Sequence, residues 1–450
     1  MIDRLRYLAR PAVEVLPTPS GVQVDWNLPI VLRDGVRLRA NVFRPPESET
    51  GEGVPVIMSA HPYDKDAIPA RTRSGRGLNI QYRLLPQPST VRFSGWTGWE
   101  APDPAFWVPR GYAVVNVDLR GGGKAEGVGQ LFSDQEAQDY YEAIEWAAAQ
   151  PWSSGRVGLL GVSYLALSQY KVAALRPPHL SVICPWEGFS DAYRDFARPG
   201  GILENGFARL WSLVTTRSAR IQGRLWRNLV SRPTRDAWYA ALAPELERIE
   251  TPMLVCGSFS DHNLHTRGSF EAFRRVGSAH KWLYTHRDGK WACFYGEDAG
   301  RTQLAFFDWT LKGAANGWDA TLPVRLAIHQ SGVTPAVVHY EPPWPPADLV
   351  WTKRRLDLTT RSLREPDTLA APAAVRLDTR RDQLTLDWVL GQDLDVIGPM
   401  ALRLYVISRY LAIGLLAALR CRVPRGLGRS DTVSGLGRAV HRDAVGDDDR

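Results

Sequence analysis

The segment 156–170 constrains the fold more than any other part of the chain, because a strand-like apolar run passes directly into a helix-like one. It reads RVGLLGVSYLALSQY, and the change comes at Ser163. A serine on such a tight turn is forced out of the sheet edge, and the helix N-terminus favours nearby negative charge. Ser163 is therefore the candidate nucleophile. The match to Gly-x-Ser-x-Gly is partial, since Leu165 stands at the second glycine position and the small residue Ala166 follows it.

Strand and helix signals alternate over the first two thirds of the chain. Strand-like apolar runs lie at 54–60, 112–118, 180–185 and 253–256. This alternation is typical of a mostly parallel sheet with helices on both faces. Residues 188–250 break the pattern with helical periodicity alone. We therefore predict an α/β core in two parts, 1–187 and 251–313, with a helical cap over 188–250 between them.

The pattern changes again after residue 313. Runs such as VRLAIHQ, QLTLDWVL and ALRLYVIS alternate apolar and polar residues and are separated by turns rich in proline and glycine. Such a pattern is typical of an all-β domain. We predict a C-terminal β domain over 314–450 that is truncated or altered after about residue 408, where an arginine-rich and glycine-rich tail lacks the alternation.

Composition excludes several classes of function. The net charge is +7, but the basic residues are interleaved with acidic ones along the chain, whereas nucleic-acid binding needs them clustered on one face. The four cysteines have no metal-type spacing. The first 20 residues lack the apolar core of a signal peptide, and the apolar stretch 410–419 is too short to span a bilayer. We expect a cytoplasmic protein without nucleic-acid or membrane partners.

A serine nucleophile needs an imidazole to accept its proton and a carboxylate to hold that imidazole in the right tautomer. In a sheet of this type the acid and then the histidine follow the serine, each at the C-terminal end of a later strand. Asp261 follows the run PMLVCGSFS, and His286 ends the run KWLYTH. These positions predict a triad of Ser163, Asp261 and His286.

The other histidines are weaker candidates. His262 and His265 flank Asp261 and suggest a metal site, but no third ligand cluster is visible, and we expect neither a metal nor a cofactor. His280 precedes its strand and would lie at the wrong end of the sheet. The remaining histidines are interpreted as structural or as loop residues: His61, His179, His329 and His441.

Acyl transfer also requires donors for the oxyanion that forms when a carbonyl is attacked. The backbone N–H of Tyr164, directly after the nucleophile, is one candidate. The loop after the first strand-like run is the expected source of the second, and there the sequence places Tyr63. Simple packing in a proline-containing turn explains Tyr63 equally well.

Four motifs in order resemble one known family. They are HPYDK at 61–65, DLRGGG at 118–123, QPWSSGRVG at 150–158 and GVSYLA at 161–166. Together they are similar to the family of X-prolyl dipeptidyl aminopeptidases, cocaine esterase and alpha-amino-acid ester hydrolases, over roughly residues 25–400. The resemblance implies an α/β-hydrolase core with an inserted helical cap and a C-terminal β jelly-roll.

The resemblance also implies roles for single residues. Ser163 would be the nucleophile, Asp261 the acid, His286 the base, and the Tyr63 hydroxyl and Tyr164 amide the oxyanion donors. Three features depart from the family: Ala166 replaces a glycine, no Gly-Pro-Trp turn precedes His286, and the strands expected after about residue 408 are missing.

These observations favour a serine hydrolase, an acyl esterase that cleaves a small-molecule carboxylic ester or amide through an acyl-enzyme intermediate. The first alternative is an X-Pro dipeptidyl aminopeptidase, which would need carboxylates for the substrate's amino group; Glu187, Asp191 and Asp195 are candidates. The second alternative is a catalytically inactive binding protein, because the C-terminal region looks incomplete. The sequence leaves a homo-oligomer open.

Overall fold

The computed structural model describes residues 11–49, 51, 53–72, 78–85, 87–261, 264–329, 335, 337–341, 345, 350–368, 372–378, 381–389, 401–407, 417–421 and 433–437. The chain divides into two compact units. The first comprises Met1–Pro342 with Leu402–Arg450, and the second comprises Pro343–Ala401.

The first unit is built on a mixed sheet to which the described residues contribute ten strands. In chain order the strands up to residue 341 are β1 (Val13–Leu16), β2 (Gln23–Val31), β3 (Arg37–Arg44), β4 (Val54–His61), β5 (Val91–Ser94), β6 (Ala113–Asp118), β7 (Ser153–Val162), β8 (Leu180–Trp186), β9 (Met253–Ser258), β10 (Lys281–His286), β11 (Val324–Ile328) and β12 (Val337–Glu341). The sheet order is β12-β11-β10-β9-β8-β7-β4-β6-β3-β2, and β1 pairs separately with β5.

The strands from β11 through β10, β9, β8, β7 and β4 to β6 are parallel, while β12, β3 and β2 are antiparallel to their neighbours. All six residues of β6 are buried, as expected for a strand covered on both faces. The carboxyl ends of β4, β7, β8, β9 and β10 therefore meet at one edge of the sheet, where the predicted catalytic residues lie.

Ten α-helices are assigned within the described ranges. They are α1 (Gln81–Leu84), α2 (Pro104–Trp107), α3 (Asp134–Ala148), α4 (Tyr164–Ala173), α5 (Phe207–Ser218), α6 (Leu225–Ser231), α7 (Ala237–Leu242), α8 (Thr266–Arg275), α9 (Lys290–Phe294) and α10 (Glu297–Lys312). A π-helical turn covers Ala192–Ala197, and 3₁₀ turns lie at Pro46–Glu49, Pro69–Arg71, Val108–Arg110, Pro199–Gly201, Leu246–Arg248 and Trp318–Ala320.

Two helices that pack against β7 have clear local causes. Ser133 caps α3 by accepting a hydrogen bond from the backbone N–H of Glu136, and acidic residues in the first turn favour the helix dipole. On the other face, the aromatic side chains of α10 enter the core, where Phe307 packs edge-on against Trp107 at 5.4 Å between ring centroids. The alternation read from the sequence thus corresponds to real helix and strand packing.

Residues 188–250, all of which the structure describes, hold three α-helices and no strand. This content matches the helical periodicity read from the sequence. Helix α5 reaches back to the sheet edge, since the indole N–H of Trp211 donates to the hydroxyl of Tyr63 at 3.0 Å.

The C-terminal part differs from the prediction in one respect. The run at 324–330, predicted to begin the β domain, contributes β11, and β11 and β12 extend the main sheet. An alternating pattern predicts a half-buried strand but does not say which sheet it joins. In the second unit β13 (Arg355–Asp357) pairs with β14 (Ser362–Arg364), and beyond it β15 (Ala417–Cys421) pairs with β16 (Val433–Gly437). The jelly-roll stays a prediction, because most of the tail after residue 408 lies outside the described residues.

A membrane-crossing helix is not found among the described residues, since none of their helices combines the required length with sufficient apolar character.

Candidate active site

The predicted strand-to-helix turn is present at Ser163. Strand β7 ends at Val162, α4 begins at Tyr164, and Ser163 between them has φ 61° and ψ −113°. This backbone region is strained for a residue with a side chain, and such strain concentrates at functional sites. The Ser163 N–H donates to the carbonyl of Trp186 at 3.1 Å, which helps to hold the turn.

The departure from Gly-x-Ser-x-Gly has a packing explanation. A Cβ atom built on Gly161 would lie 2.5 Å from the Cβ of Leu165, so the glycine on the strand side makes room for the helix. A Cβ on Gly188 would likewise lie 2.8 Å from the Cβ of Ala166. Because these glycines supply the space, the turn accepts leucine and alanine where the common motif has smaller residues.

Three side chains form a hydrogen-bonded chain at this turn. The Nε2 atom of His265 lies 3.1 Å from the Oγ of Ser163. On the other side of the ring, Nδ1 lies 2.5 Å from Oδ2 of Asp261. With Nδ1–H donating to the carboxylate, Nε2 presents its lone pair to the serine hydroxyl, which is the arrangement a general base requires.

A single turn after β9 brings the acid and the histidine together. The carbonyl of Asp261 accepts hydrogen bonds from the N–H groups of Leu264, His265 and Thr266, so the chain curls directly into α8. Residues four apart on such a turn face the same side. Helix α8 also lies very close to the sheet edge, because a Cβ on Gly268 would come within 2.5 Å of backbone atoms at 189–190.

The structure corrects the prediction that His286 is the base. The structure places it at the end of β10 with its Nε2 atom 3.0 Å from Oε1 of Glu187, and both side chains are buried. Burial opposes a charge on this ring, but Cys293, Cys256 and the Glu187 carboxylate raise the pKa of His286 well above its ordinary value. Because Nε2 of His286 is bonded to Glu187, whereas Nε2 of His265 faces Ser163, the contacts argue against His286 as the base.

The sequence contains a pattern that favours His265 as the base. The expectation that the acid and the histidine each end a different strand does not use this pattern, and it leaves His265 as a candidate metal ligand only. The spacing Asp-x-x-x-His at the start of a helix places both side chains on one face, and that spacing was visible. The general order of serine, acid and histidine is nevertheless kept.

The charges around His265 favour its neutral form. Burial and the nearby ammonium group of Lys290 lower the pKa of His265, while the Asp261 carboxylate opposes this effect. For Asp261, burial acts against ionisation, but Lys290 and His265 prevail and hold the pKa of that carboxyl well below its usual range. Near neutral pH the pair is thus an anionic carboxylate and a neutral imidazole.

Both predicted oxyanion donors lie around the turn. Tyr164 is the first residue of α4, so its backbone N–H has no acceptor within the helix. Its phenol ring points elsewhere and donates to Glu136 at 2.5 Å. The Tyr63 ring lies 5.9 Å from the Tyr164 ring, and burial raises the pKa of Tyr63 well above its ordinary value. The Tyr63 hydroxyl therefore keeps its proton and, while accepting from Trp211, can still donate.

Aromatic side chains of the core and the 188–250 region cover this end of the sheet. Phe189 stacks on the imidazole of His265 with 6.4 Å between ring centroids. Trp211 stacks on Tyr164 at 5.9 Å and meets Phe196 edge-on at 5.5 Å. These rings give the candidate site apolar surroundings, in which the hydrogen bonds of the Ser163 chain are stronger than in water.

Within the part of the chain that the structure describes, two groups of side chains come close enough to hold a metal ion, with ligand atoms within 4.8 Å of one another. One comprises Glu187, Cys256 and His286, and the other Glu187, Asp261 and His265. In each group the imidazole is already hydrogen-bonded to a carboxylate. Acid–base pairing accounts for both arrangements, and we assign neither of them to a metal.

The three carboxylates considered for an amino-group pocket are engaged elsewhere. Glu187 pairs with His286, and Asp195 accepts from Arg267 at 2.6 Å. Asp191 caps the π-helical turn that begins at residue 192. These contacts agree with a structural role for the three acids.

Comparison with known proteins finds similarity to one family. The sequence model described as X-Pro dipeptidyl-peptidase (S15 family) matches residues 34–229. Cocaine esterase from Rhodococcus sp. (strain MB1 Bresler) is 32% identical over 203 residues, which are 43% of this chain and 30% of that protein. The match thus covers less than a third of that curated relative.

Solved structures agree with this result. A CocE/NonD family hydrolase from Staphylococcus aureus is 34% identical and superimposes with a TM-score of 0.69, covering 80% of this chain and 66% of that one. An aminopeptidase from the marine sediment archaeon Thaumarchaeota archaeon, 16% identical with a TM-score of 0.55 over 77% of this chain and 63% of that one, shares the fold alone. The α/β-hydrolase prediction for the core is confirmed.

Proposed function

We propose that the chain, whose residues 34–229 match the X-Pro dipeptidyl-peptidase (S15) family, is a serine hydrolase acting on a small-molecule carboxylic ester or amide. The observation that carries the proposal is the chain of contacts from Ser163 Oγ through His265 to Asp261. A strained turn, a neutral buried imidazole and an ionised carboxylate together supply what acyl transfer needs.

In the proposed reaction Ser163 Oγ attacks the substrate carbonyl carbon while His265 Nε2 takes the hydroxyl proton. The oxyanion of the tetrahedral intermediate accepts hydrogen bonds from the Tyr164 N–H and the Tyr63 hydroxyl. His265 then gives its proton to the leaving alcohol or amine, which leaves an acyl group on Ser163. Water attacks the acyl carbon as His265 removes its proton, and the acid is released when the Ser163 oxygen regains a proton from His265.

Within this class we favour an acyl esterase of the CocE/NonD type over an X-Pro dipeptidyl aminopeptidase. Support comes from the contacts of Glu187, Asp191 and Asp195, each of which is already bonded to another group of the chain, although Oε2 of Glu187 has no hydrogen-bond partner among the described residues. Similarity to a cocaine esterase and to a CocE/NonD hydrolase points the same way.

The purified full chain should hydrolyse p-nitrophenyl acetate or butyrate and react with a fluorophosphonate probe at Ser163. Gly-Pro-p-nitroanilide should be a poor substrate by comparison. Ser163→Ala serves as the control, with peptide mapping to locate the label. A folded protein that neither hydrolyses the esters nor takes up the probe would contradict the hydrolase proposal, and faster cleavage of the anilide would favour the aminopeptidase.

Tyr63→Phe removes one proposed oxyanion donor and leaves the ring in place. We expect kcat for p-nitrophenyl butyrate to fall by about 10²-fold with little change in KM, because the donor acts on the transition state. Tyr170→Phe is the matched control, since among the described residues the buried Tyr170 hydroxyl has no hydrogen-bond partner. Equal kcat values for Tyr63→Phe and the wild type would exclude Tyr63 from the oxyanion hole.

A further inference from the structure

Lys290, the first residue of α9, reaches the hydrogen-bonded chain of the candidate triad. Its Nζ atom lies 2.7 Å from Oδ2 of Asp261 and 3.0 Å from Nδ1 of His265. The side chain is 17% exposed. A lysine in this position has no part in the acyl-transfer steps above, so its place at the back of the imidazole calls for an explanation.

The position of Lys290 is fixed by its neighbour in sequence. Trp291 is buried, and its indole N–H donates to Oε1 of Glu100 at 3.1 Å. Its ring also packs against Trp99 at 5.0 Å and Tyr82 at 4.9 Å between centroids. The start of α9 is therefore anchored in an aromatic cluster, and the lysine extends from a rigid base.

We propose that Lys290 is a positioning residue of the triad, whose ammonium group holds the Asp261 carboxylate against His265. This inference rests on the proposed function. Oδ2 of Asp261 accepts from both Nδ1–H of His265 and Nζ–H of Lys290, and two donors on one oxygen fix the rotation of the carboxylate. A fixed carboxylate keeps the imidazole in the tautomer that presents Nε2 to Ser163.

The 3.0 Å separation between Nζ and Nδ1 has a second consequence. When Nδ1–H donates to Asp261, both nitrogens are donors and cannot hydrogen-bond to each other. The ammonium charge then acts on the ring mainly through electrostatics and disfavours a protonated imidazole. Lys290 thus orients the base through Asp261 and also helps to keep it unprotonated.

Two other carboxyl groups face the same pair. Glu187, after β8, acts on both His265 and Lys290, and Glu100 acts on Lys290. Burial acts against the charge of Lys290, but Asp261, Glu187 and Glu100 raise the pKa of the amine. Burial raises the pKa of Glu100 to about 8, so near neutral pH the charge that supports Lys290 comes mainly from Asp261 and Glu187. The ammonium form of Lys290 is therefore favoured throughout the range in which His265 titrates.

Lys290→Met should move the acid limb of the pH profile of kcat/KM to higher pH. Removing the positive charge makes protonation of His265 easier, and kcat/KM reports the protonation of the free enzyme. We expect a larger loss of p-nitrophenyl butyrate hydrolysis at about pH 6 than at about pH 8. Lys290→Arg keeps the charge and should leave the acid limb of the profile near its wild-type position. Lys312→Met is the control, because it removes a lysine that is paired with Asp308 on α10.

A purely structural lysine would lower kcat/KM equally at all pH values, and that result would overturn the proposal. Should Lys290→Met fold poorly, Lys290→Gln makes the same comparison. Histidine-selective NMR gives a readout that does not need turnover: the titration midpoint of His265, assigned with His265→Gln, should rise in the Lys290 variant. If the titration midpoint of His265 rises but the wild-type protein hydrolyses no ester, only the proposed function is contradicted. If the midpoint is unchanged and the wild-type enzyme is active, only the role of Lys290 is contradicted.

Discussion

Replacing His265 by alanine is expected to lower kcat for ester hydrolysis by about 10⁶-fold, because the serine loses the only group placed to take its proton among the described residues. Fluorophosphonate labelling of Ser163 should slow in parallel, since the same proton transfer activates the hydroxyl for the probe. The measurement is kcat at about pH 8 with p-nitrophenyl butyrate, together with the second-order rate of labelling.

His286→Gln is the control that separates the two histidines. The glutamine amide can still donate to Glu187, so the buried carboxylate keeps a partner, whereas alanine would leave it unpaired at a cost of about 3–5 kcal/mol. We expect kcat of His286→Gln to stay within about tenfold of wild type. The reverse outcome, an active His265 variant and an inactive His286 variant, would restore the assignment made from sequence.

The places of the proposed nucleophile and of its proposed acid in the fold could be predicted from sequence, because each depends on a local pattern. Ser163 lies where an apolar run changes into a helix, and Asp261 directly follows a buried strand. The base could not be singled out in the same way, since His262, His265 and His286 all lie after or at the end of later strand-like runs and the sequence does not show which ring points to the serine. In the structure that choice depends on the turn at 261–265 and on the close approach of α8.

The same reasoning explains the misassigned strand at 324–328. Its alternation predicted a strand, and a strand is present, but its partner β10 lies about 40 residues earlier in the chain. Local propensity carries no information about such a pairing. Trp211 is a similar case, because its indole contact with Tyr63 joins residues 148 apart and no spacing in the sequence predicts this contact.

The segment after β10 has a different role here from the one the resemblance implied. It was expected to supply the base through His286, but it supplies a buried pair with Glu187 and the ammonium group of Lys290. The proposed acid and base both come from the turn after β9, and the ammonium group in contact with them comes from α9. Asp261 is therefore in contact with two segments that are anchored independently. Small shifts of either segment should disturb the position of His265.

Ser163→Ala should remove both ester hydrolysis and probe labelling, with a loss in kcat of about 10⁶-fold. The variant should remain folded, because the change deletes one oxygen atom whose described hydrogen bond is to His265. Activity above this level, with the label on another peptide, would place the nucleophile elsewhere.

The Ser163→Gly variant tests the backbone strain at the turn. Like Ser163→Ala it lacks the serine hydroxyl, so the two variants can be compared for stability alone. The serine holds φ 61° and ψ −113°, a region in which a side chain costs about 1–3 kcal/mol. Glycine removes that cost but loses more backbone entropy on folding, about 0.5–1 kcal/mol. We therefore expect Ser163→Gly to be about 1 kcal/mol more stable to urea than Ser163→Ala. Equal midpoints for the two variants would mean that the strain at the turn does not exceed the entropy cost of glycine, about 0.5–1 kcal/mol. The position of Ser163 would then follow mainly from the close packing of Leu165 and Ala166 against Gly161 and Gly188.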